Sequence, residues 1–220
     1  HSRNDTRRRL RKGTFDVSRT NKLITGAWTF NNKENKPEHF PGIGLSIPDY
    51  MMFARSTTKG WKPGKKFKTN FVYYEPIGRT GSLSAIWTEP DIYYDASSGI
   101  AVGGKPGVLA SSYRITYYYP GGVKPVSFDL HITLTNEESN IYKLEWYDGE
   151  KHTLTGTGIK VRNGIAVAYD RPNVESQLVV YRVQSDDFLS QSTMPVLNGQ
   201  YSSTESNDPG IEIVIHSAVS

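Results

Sequence analysis

Gly42-Ile43-Gly44-Leu45-Ser46-Ile47, followed after a short turn by Met51-Met52-Phe53-Ala54, has a second version in the same chain. Gly156-Thr157-Gly158-Ile159-Lys160-Val161 and Ile165-Ala166-Val167-Ala168 fall on it without a gap. The match extends outward: Phe15-Asp16-Val17 falls on Phe128-Asp129-Leu130, and Trp28 on Trp146. Downstream, Phe71-Val72-Tyr73-Tyr74 falls on Leu178-Val179-Val180-Tyr181, and Ser82-Leu83-Ser84 on Phe188-Leu189-Ser190. A repeated unit constrains architecture more tightly than composition, because each copy must hide the same apolar face. The expected organisation is a flexible basic arm over residues 1–13, then repeats at about 14–122 and 123–220.

Both copies read as β-structure. The 220 residues carry 20 Gly, 12 Pro and 14 Tyr, and no stretch has a helical stripe. In Ile165-Ala166-Val167-Ala168-Tyr169 large side chains alternate with alanines, as in a strand whose two faces differ. Asn163-Gly164 predicts a type I′ hairpin, and Pro48-Asp49 reaches the matching turn by presetting φ. The paired glycines at 42/44 and 156/158 precede no helix, so they mark bends in a sheet rather than phosphate loops. One copy alone leaves two unpaired sheet edges. Two copies closing on each other remove them, which predicts an all-β, antiparallel single barrel over residues 14–220. The same strands would also build a two-sheet sandwich.

Leu23-Ile24-Thr25-Gly26-Ala27-Trp28-Thr29-Phe30 resembles the Gly-x-Trp first strand of the calycin superfamily, the lipocalin, avidin and fatty-acid-binding barrels. The resemblance implies a calycin-like barrel with the tryptophan packed across one end. The second copy departs from it, with Lys143-Leu144-Glu145-Trp146 in place of Gly-x-Trp.

The chain has no cysteine, which excludes disulfides, thiolate metal sites and cysteine nucleophiles. Its five histidines never pair at a metal-ligand spacing, so no metal and no cofactor is expected. No catalytic constellation is recognisable, and no 18-residue apolar run exists. The net charge of +4 is an average over two basic islands. Residues 1–12 set Arg3, Arg7, Arg8, Arg9, Arg11 and Lys12 against Asp5 alone. Residues 55–68 carry Arg55, Lys59, Lys62, Lys65, Lys66 and Lys68 with no acid.

Two candidate sites follow. Trp87, Asp91, Tyr93, Tyr94 and Tyr118 join aromatic faces to a carboxylate, the combination a sugar or small polar ligand needs, and are placed at the barrel mouth. Arg7, Arg8, Arg9, Arg11 and Lys12, extended by Lys65 and Lys66, suit contact with a polyanion such as nucleic acid or a cell-wall polymer. The expected function is a non-enzymatic binding protein, extracellular or in a cell envelope, taking a small apolar or aromatic ligand or a carbohydrate. The alternatives are a structural or coat-type protein using its Arg-rich arm, and a barrel enzyme of cyclase or isomerase type.

Overall fold

The computed structural model describes residues 10–20, 23–88, 96–183 and 196–216. Among these residues the regular secondary structure is strand throughout, apart from one 3-10 turn. The first half supplies β1 (Leu10–Thr20), β2 (Leu23–Asn31), β3 (Pro37–Ile47), β4 (Tyr50–Arg55), β5 (Asn70–Pro76), β6 (Leu83–Thr88), β7 (Ser97–Val102) and β8 (Ser112–Tyr117). After one 3-10 turn at Pro120–Gly122 come β9 (Val126–Asn136), β10 (Ile141–Asp148), β11 (Lys151–Val161), β12 (Gly164–Asp170), β13 (Gln177–Arg182), β14 (Val196–Ser203) and β15 (Ser206–His216). No helix among the described residues is long and apolar enough to cross a membrane.

The expected single barrel is replaced by two. Barrel A closes in the order β1-β15-β14-β13-β4-β3-β2, and barrel B in the order β10-β11-β12-β5-β6-β7-β8-β9. Neither half of the chain makes a barrel by itself. After β4 the chain leaves barrel A and enters barrel B as β5; after β12 it leaves barrel B and enters barrel A as β13. The exchange is visible in the pairing: β4 bonds to β13, and β5 to β12. Barrel B is antiparallel throughout its eight strands, whereas barrel A has seven and contains one parallel pair, β1 with β15. An odd number of strands cannot close with every neighbour antiparallel.

The two sets of strands share their registers. Gly42 sits between Gly26 and Arg55, and Gly156 between Leu144 and Tyr169, at the same offsets from Trp28 and Trp146. Phe53 faces Val179 across one exchanged seam, and Val167 faces Val72 across the other. One expected match shifts by two residues. Phe15 pairs with Trp28, but Leu130, not Phe128, pairs with Trp146. A slip of two keeps the same face, so period-2 patterning could not detect it.

Burial divides into three layers. Barrel A is filled by Phe15, Trp28, Phe53, Tyr181 and their neighbours, and barrel B by Tyr74, Trp87, Tyr117, Trp146 and theirs. The third cluster joins Leu45, Met52, Ala54 and Leu178 of one barrel to Phe71, Ala166, Ala168 and Ile159 of the other. This explains the alternation on β12. Ile165, Val167 and Tyr169 fill barrel B, while Ala166 and Ala168 face barrel A, where small side chains let the two sheets approach. The seam strands β4 and β12 are consequently buried on both faces.

Two strands, β7 and β14, go unread in the sequence because Ser97-Ser98-Gly99 and Asn198-Gly199 resemble turns. The glycines are strand residues whose missing side chain makes room. A Cβ at Gly199 would lie 2.5 Å from Tyr181 Cε1, and one at Gly99 would lie 2.8 Å from the Thr116 carbonyl. Replacing Gly199 with alanine is therefore expected to lower stability by about 1–3 kcal/mol through overpacking, measured by chemical denaturation. A change within about 0.5 kcal/mol would mean that Tyr181 can move aside.

The expected Asn163-Gly164 turn also shifts. Arg162 and Asn163 form the turn, with Arg162 at φ 55°, and Gly164 begins β12 opposite Val161. Gly164 is needed instead for packing, since its Cβ would come within 2.3 Å of the Tyr74 carbonyl. The matching turn places its positive φ one residue later, at Asp49 (71°). Arg162 and Asp49 then bridge the two turns at 3.4 Å. At the N-terminus, β1 already begins at Leu10, so Arg11 and Lys12 lie in a strand rather than in an arm.

Candidate functional site

The aromatic cluster expected at a barrel mouth divides. Trp87 is fully buried in barrel B, its Nε1–H donating to the Ser98 carbonyl (2.8 Å) and its ring edge-on to Tyr117 and Tyr119. Tyr118 is exposed. Asp91, Tyr93 and Tyr94 lie outside the described residues, as do Arg7, Arg8 and Arg9.

Barrel B opens a concave site at its other end. A cavity of about 350 Å³ lies where β5 passes to β6, β7 to β8 and β11 to β12. Its apolar lining includes Leu83, Val108 and Leu109, and its polar lining includes Tyr113, Lys105, Lys160 and Glu75. Leu83 and Tyr113 belong to the barrel core, so the cavity floor is the top layer of the interior. The loop between β7 and β8 packs Leu109 against that core, and Tyr113 donates to the Leu109 carbonyl (2.9 Å), fixing the wall. Gly104 N–H donates to Gly81 O (2.9 Å) and ties this loop to the β5–β6 turn. Sequence reading missed these residues because Gly103-Gly104-Lys105-Pro106-Gly107 reads only as a loop.

The two barrels differ at matched interior positions. In barrel B, Trp146 Nε1–H donates to the Tyr117 hydroxyl (2.8 Å), which lies 2.6 Å from that of Tyr74. Every group is neutral. In barrel A, Trp28 Nε1–H donates to Tyr181 (2.7 Å), and the Tyr181 hydroxyl donates to Glu212 Oε2. Arg55 Nη1–H donates to the other oxygen, Oε1, at 2.7 Å, and its Nε–H donates to Gln177 Oε1 at 3.3 Å. Two registers identify the exchange: Arg55 faces Gly42 as Tyr169 faces Gly156, and Glu212 faces Arg11 as Tyr117 faces Val126, four residues before the residue paired with the tryptophan in each case. Arg55 and Glu212 are 1% and 0% exposed, so the pair is wholly desolvated. The guanidinium also lies over Trp28 and Phe30 at 5.3 and 5.1 Å, while its Nη2 has no partner among the described residues. An acid at an inward position of the apolar run Ile211-Glu212-Ile213-Val214 is the sequence signal that could have found this pair.

Burial raises the tyrosine hydroxyls of both networks. Tyr74, Tyr117 and Tyr181 are all pushed well above their usual value, chiefly by desolvation, with the Glu212 charge adding to it at Tyr181. Tyr73, between the barrels, is pushed up to about 12 by burial, with Glu75 adding to it. Raised acids are protonated in the folded state while the unfolded chain ionises, so stability is full below pH ~10 and falls as pH rises beyond it. Alkaline titration should therefore show tyrosinate absorbance from these groups appearing together with unfolding. Ionisation near pH ~10 in the still-folded protein would contradict this burial.

Barrel A collects basic groups at one end. Arg11, Phe30, Phe40 and Arg55 share that end by register, and the chain from 56 to 69 leaves from it. Arg11 stacks over Tyr201 at 4.9 Å, and Lys12 is exposed on the outer face of β1. Lys65 and Lys66 lie in the 56–69 segment, which folds back against β1–β3 around Trp61. No group of three or more His, Asp or Glu able to hold a metal occurs among the described residues.

Fold and site together define a two-barrel, strand-exchanged all-β protein with side-chain-filled interiors and a concave site at one barrel mouth. Comparison with family models, curated proteins and solved structures finds no match.

Proposed function

We propose that this is a non-enzymatic binding protein whose barrel B mouth takes a small molecule with an apolar body and one negative charge. The observation that carries the reading is the composition of the 350 Å³ cavity. Its size falls at the lower end of small-ligand sites, and few polar groups stand against an apolar wall. Lys105 and Lys160 against Glu75 leave one net positive charge, which favours a monoanion and discriminates against a dianion. Leu83, Val108 and Leu109 supply the apolar contact. The matched registers of β1–β4 with β9–β12 support reading the chain as a duplicated, calycin-like unit whose two barrels have diverged. In this reading, barrel B keeps a neutral interior beneath a ligand mouth.

The test is thermal unfolding with aromatic and short aliphatic monocarboxylates, their dicarboxylate analogues and uncharged amides of the same shape. At a ligand concentration 100-fold above Kd the expected stabilisation is about 2.7 kcal/mol. In a chain of this size that is a rise of roughly 5–10 °C in Tm. The double substitution Lys105→Ala/Lys160→Ala should remove the shift while leaving the ligand-free Tm within a degree or two, because both lysines are exposed. Equal shifts from acid and amide would overturn the assignment of charge. No shift from any of them would overturn the site.

A further inference from the structure

The 56–69 segment carries a surface that the barrel B mouth does not explain. Trp61 is fixed within it: the indole Nε1–H donates to the Lys65 carbonyl at 2.9 Å, and Phe67 meets the ring edge-on at 6.3 Å. The N–H is thus already satisfied, and the ring is held without a ligand. Grooves lie on both sides of it. One, about 390 Å³, runs between Trp61, Lys65 and Lys66 of the segment and Asp16, Ser18 and Thr25 on the outer face of β1 and β2. The other, about 300 Å³, has Lys59 and Lys62 facing Glu38 and His39 of β3. None of these four lysines forms an ion pair among the described residues, and all are exposed.

We infer that the Trp61 ridge with its two grooves is a binding surface for a uronate-type glycan, an acidic polysaccharide carrying about one carboxylate per sugar ring. A preorganised indole offers the flat apolar face on which a pyranose ring stacks, and its prior fixation lowers the entropy cost of binding. Each groove pairs two lysines with one carboxylate, and the first adds the hydroxyls of Ser18 and Thr25. The lysines meet sparse anionic groups as point charges, while Asp16, Glu38, Ser18 and Thr25 suit sugar hydroxyls. The same carboxylates disfavour a nucleic acid or a heavily sulfated chain, whose dense charge would be brought against them. Two grooves meeting at one ring fit a chain running past Trp61 rather than a single sugar.

The experiment is calorimetric titration of the full chain with an oligogalacturonate. A neutral oligosaccharide of equal length, a sulfated oligosaccharide and a single-stranded oligonucleotide are titrated in parallel. Oligogalacturonate should bind best and weaken as salt rises, since exposed charges are screened. Trp61→Ala should weaken it roughly 5- to 150-fold, the range of a lost ring-stacking contact. Lys65→Ala/Lys66→Ala should weaken it and flatten its salt dependence. Trp61→Phe, which keeps a stacking face, should retain most of the affinity and so separates loss of stacking from a disturbed segment. Tighter binding of the oligonucleotide or the sulfated chain would overturn the glycan assignment in favour of a general polyanion surface. Unchanged affinity in Trp61→Ala, or no binding to any probe, would overturn the site. Neither result bears on the barrel B mouth, which none of these substitutions touches.

Discussion

Replacing Glu212 with leucine is expected to destabilise the protein by about 3–5 kcal/mol, the usual cost of leaving one partner of a buried ion pair uncompensated. Arg55 would keep only the Gln177 contact and its two aromatic faces, in an interior where neither charged residue reaches solvent. The Tyr181 hydroxyl would lose its acceptor at the same time. The sharper result concerns the double variant. Arg55→Tyr with Glu212→Tyr places in barrel A the residues that barrel B holds at the positions matched through β3 and β1, Tyr169 and Tyr117. It should recover most of the lost stability, since well-packed neutral residues commonly replace a buried pair without loss. Chemical denaturation of the three proteins decides it. A Glu212→Leu loss under about 1 kcal/mol would mean that water reaches Arg55 and the pair is not structurally required.

Separating the chain in the exposed Pro120–Gly122 turn should give two fragments that fold only together. Residues 1–121 contribute β1–β4 to barrel A and β5–β8 to barrel B, and residues 122–220 complete both. Alone, each fragment exposes the seam edges of β4 and β5, or of β12 and β13, and should aggregate or pair with itself. Self-pairing is penalised by charge. Two copies of the first half would bury Arg55 against Tyr117 with no carboxylate, and two copies of the second would bury Glu212 against Tyr169 with no cation. The ion pair joins β4 to β15, residues 157 positions apart. It therefore favours the exchanged pairing over every self-closed one. Native mass spectrometry should find one-to-one complexes from co-expressed halves. Carrying Arg55→Tyr/Glu212→Tyr, the same halves should form homodimers to a measurable extent. Stable, monomeric halves would show that the exchange is not required for folding.

How much of this was legible follows from what strand patterning reports. The Ile165–Tyr169 alternation correctly gave a strand with a bulky and a small face. It did not say that the alanine face meets a second barrel, because periodicity marks a buried face without naming what covers it. The hairpin positions near Pro48-Asp49 and Asn163 were readable, but local φ preferences put the second turn one residue too late, since the positive φ falls on Arg162 and Gly164 is a strand residue. Strands β7 and β14 were not readable, because Gly99 and Gly199 make room for groups on the paired strands β8 and β13 and look like punctuation when read locally. At the sites, Lys65 and Lys66 were legible as charge, whereas the folding of their segment back on β1–β3 around Trp61 was not. Trp87 was legible as aromatic and turned out to be core.

The sequence by itself determined the β class, the faces of most strands and the matching registers of β2–β4 with β10–β12, though not that of β1 with β9. Those features depend on residues a few positions apart. Only the tertiary structure decided that β4 pairs with β13 and β12 with β5, and hence that there are two barrels rather than one. Self-pairing and exchanged pairing use the same strands, the same periodicity and the same apolar faces. What separates them is the meeting of Arg55 with Glu212 inside one barrel and of Trp146 with Tyr117 inside the other, a match of charged with charged and neutral with neutral between residues too far apart in the chain for any local pattern to contain.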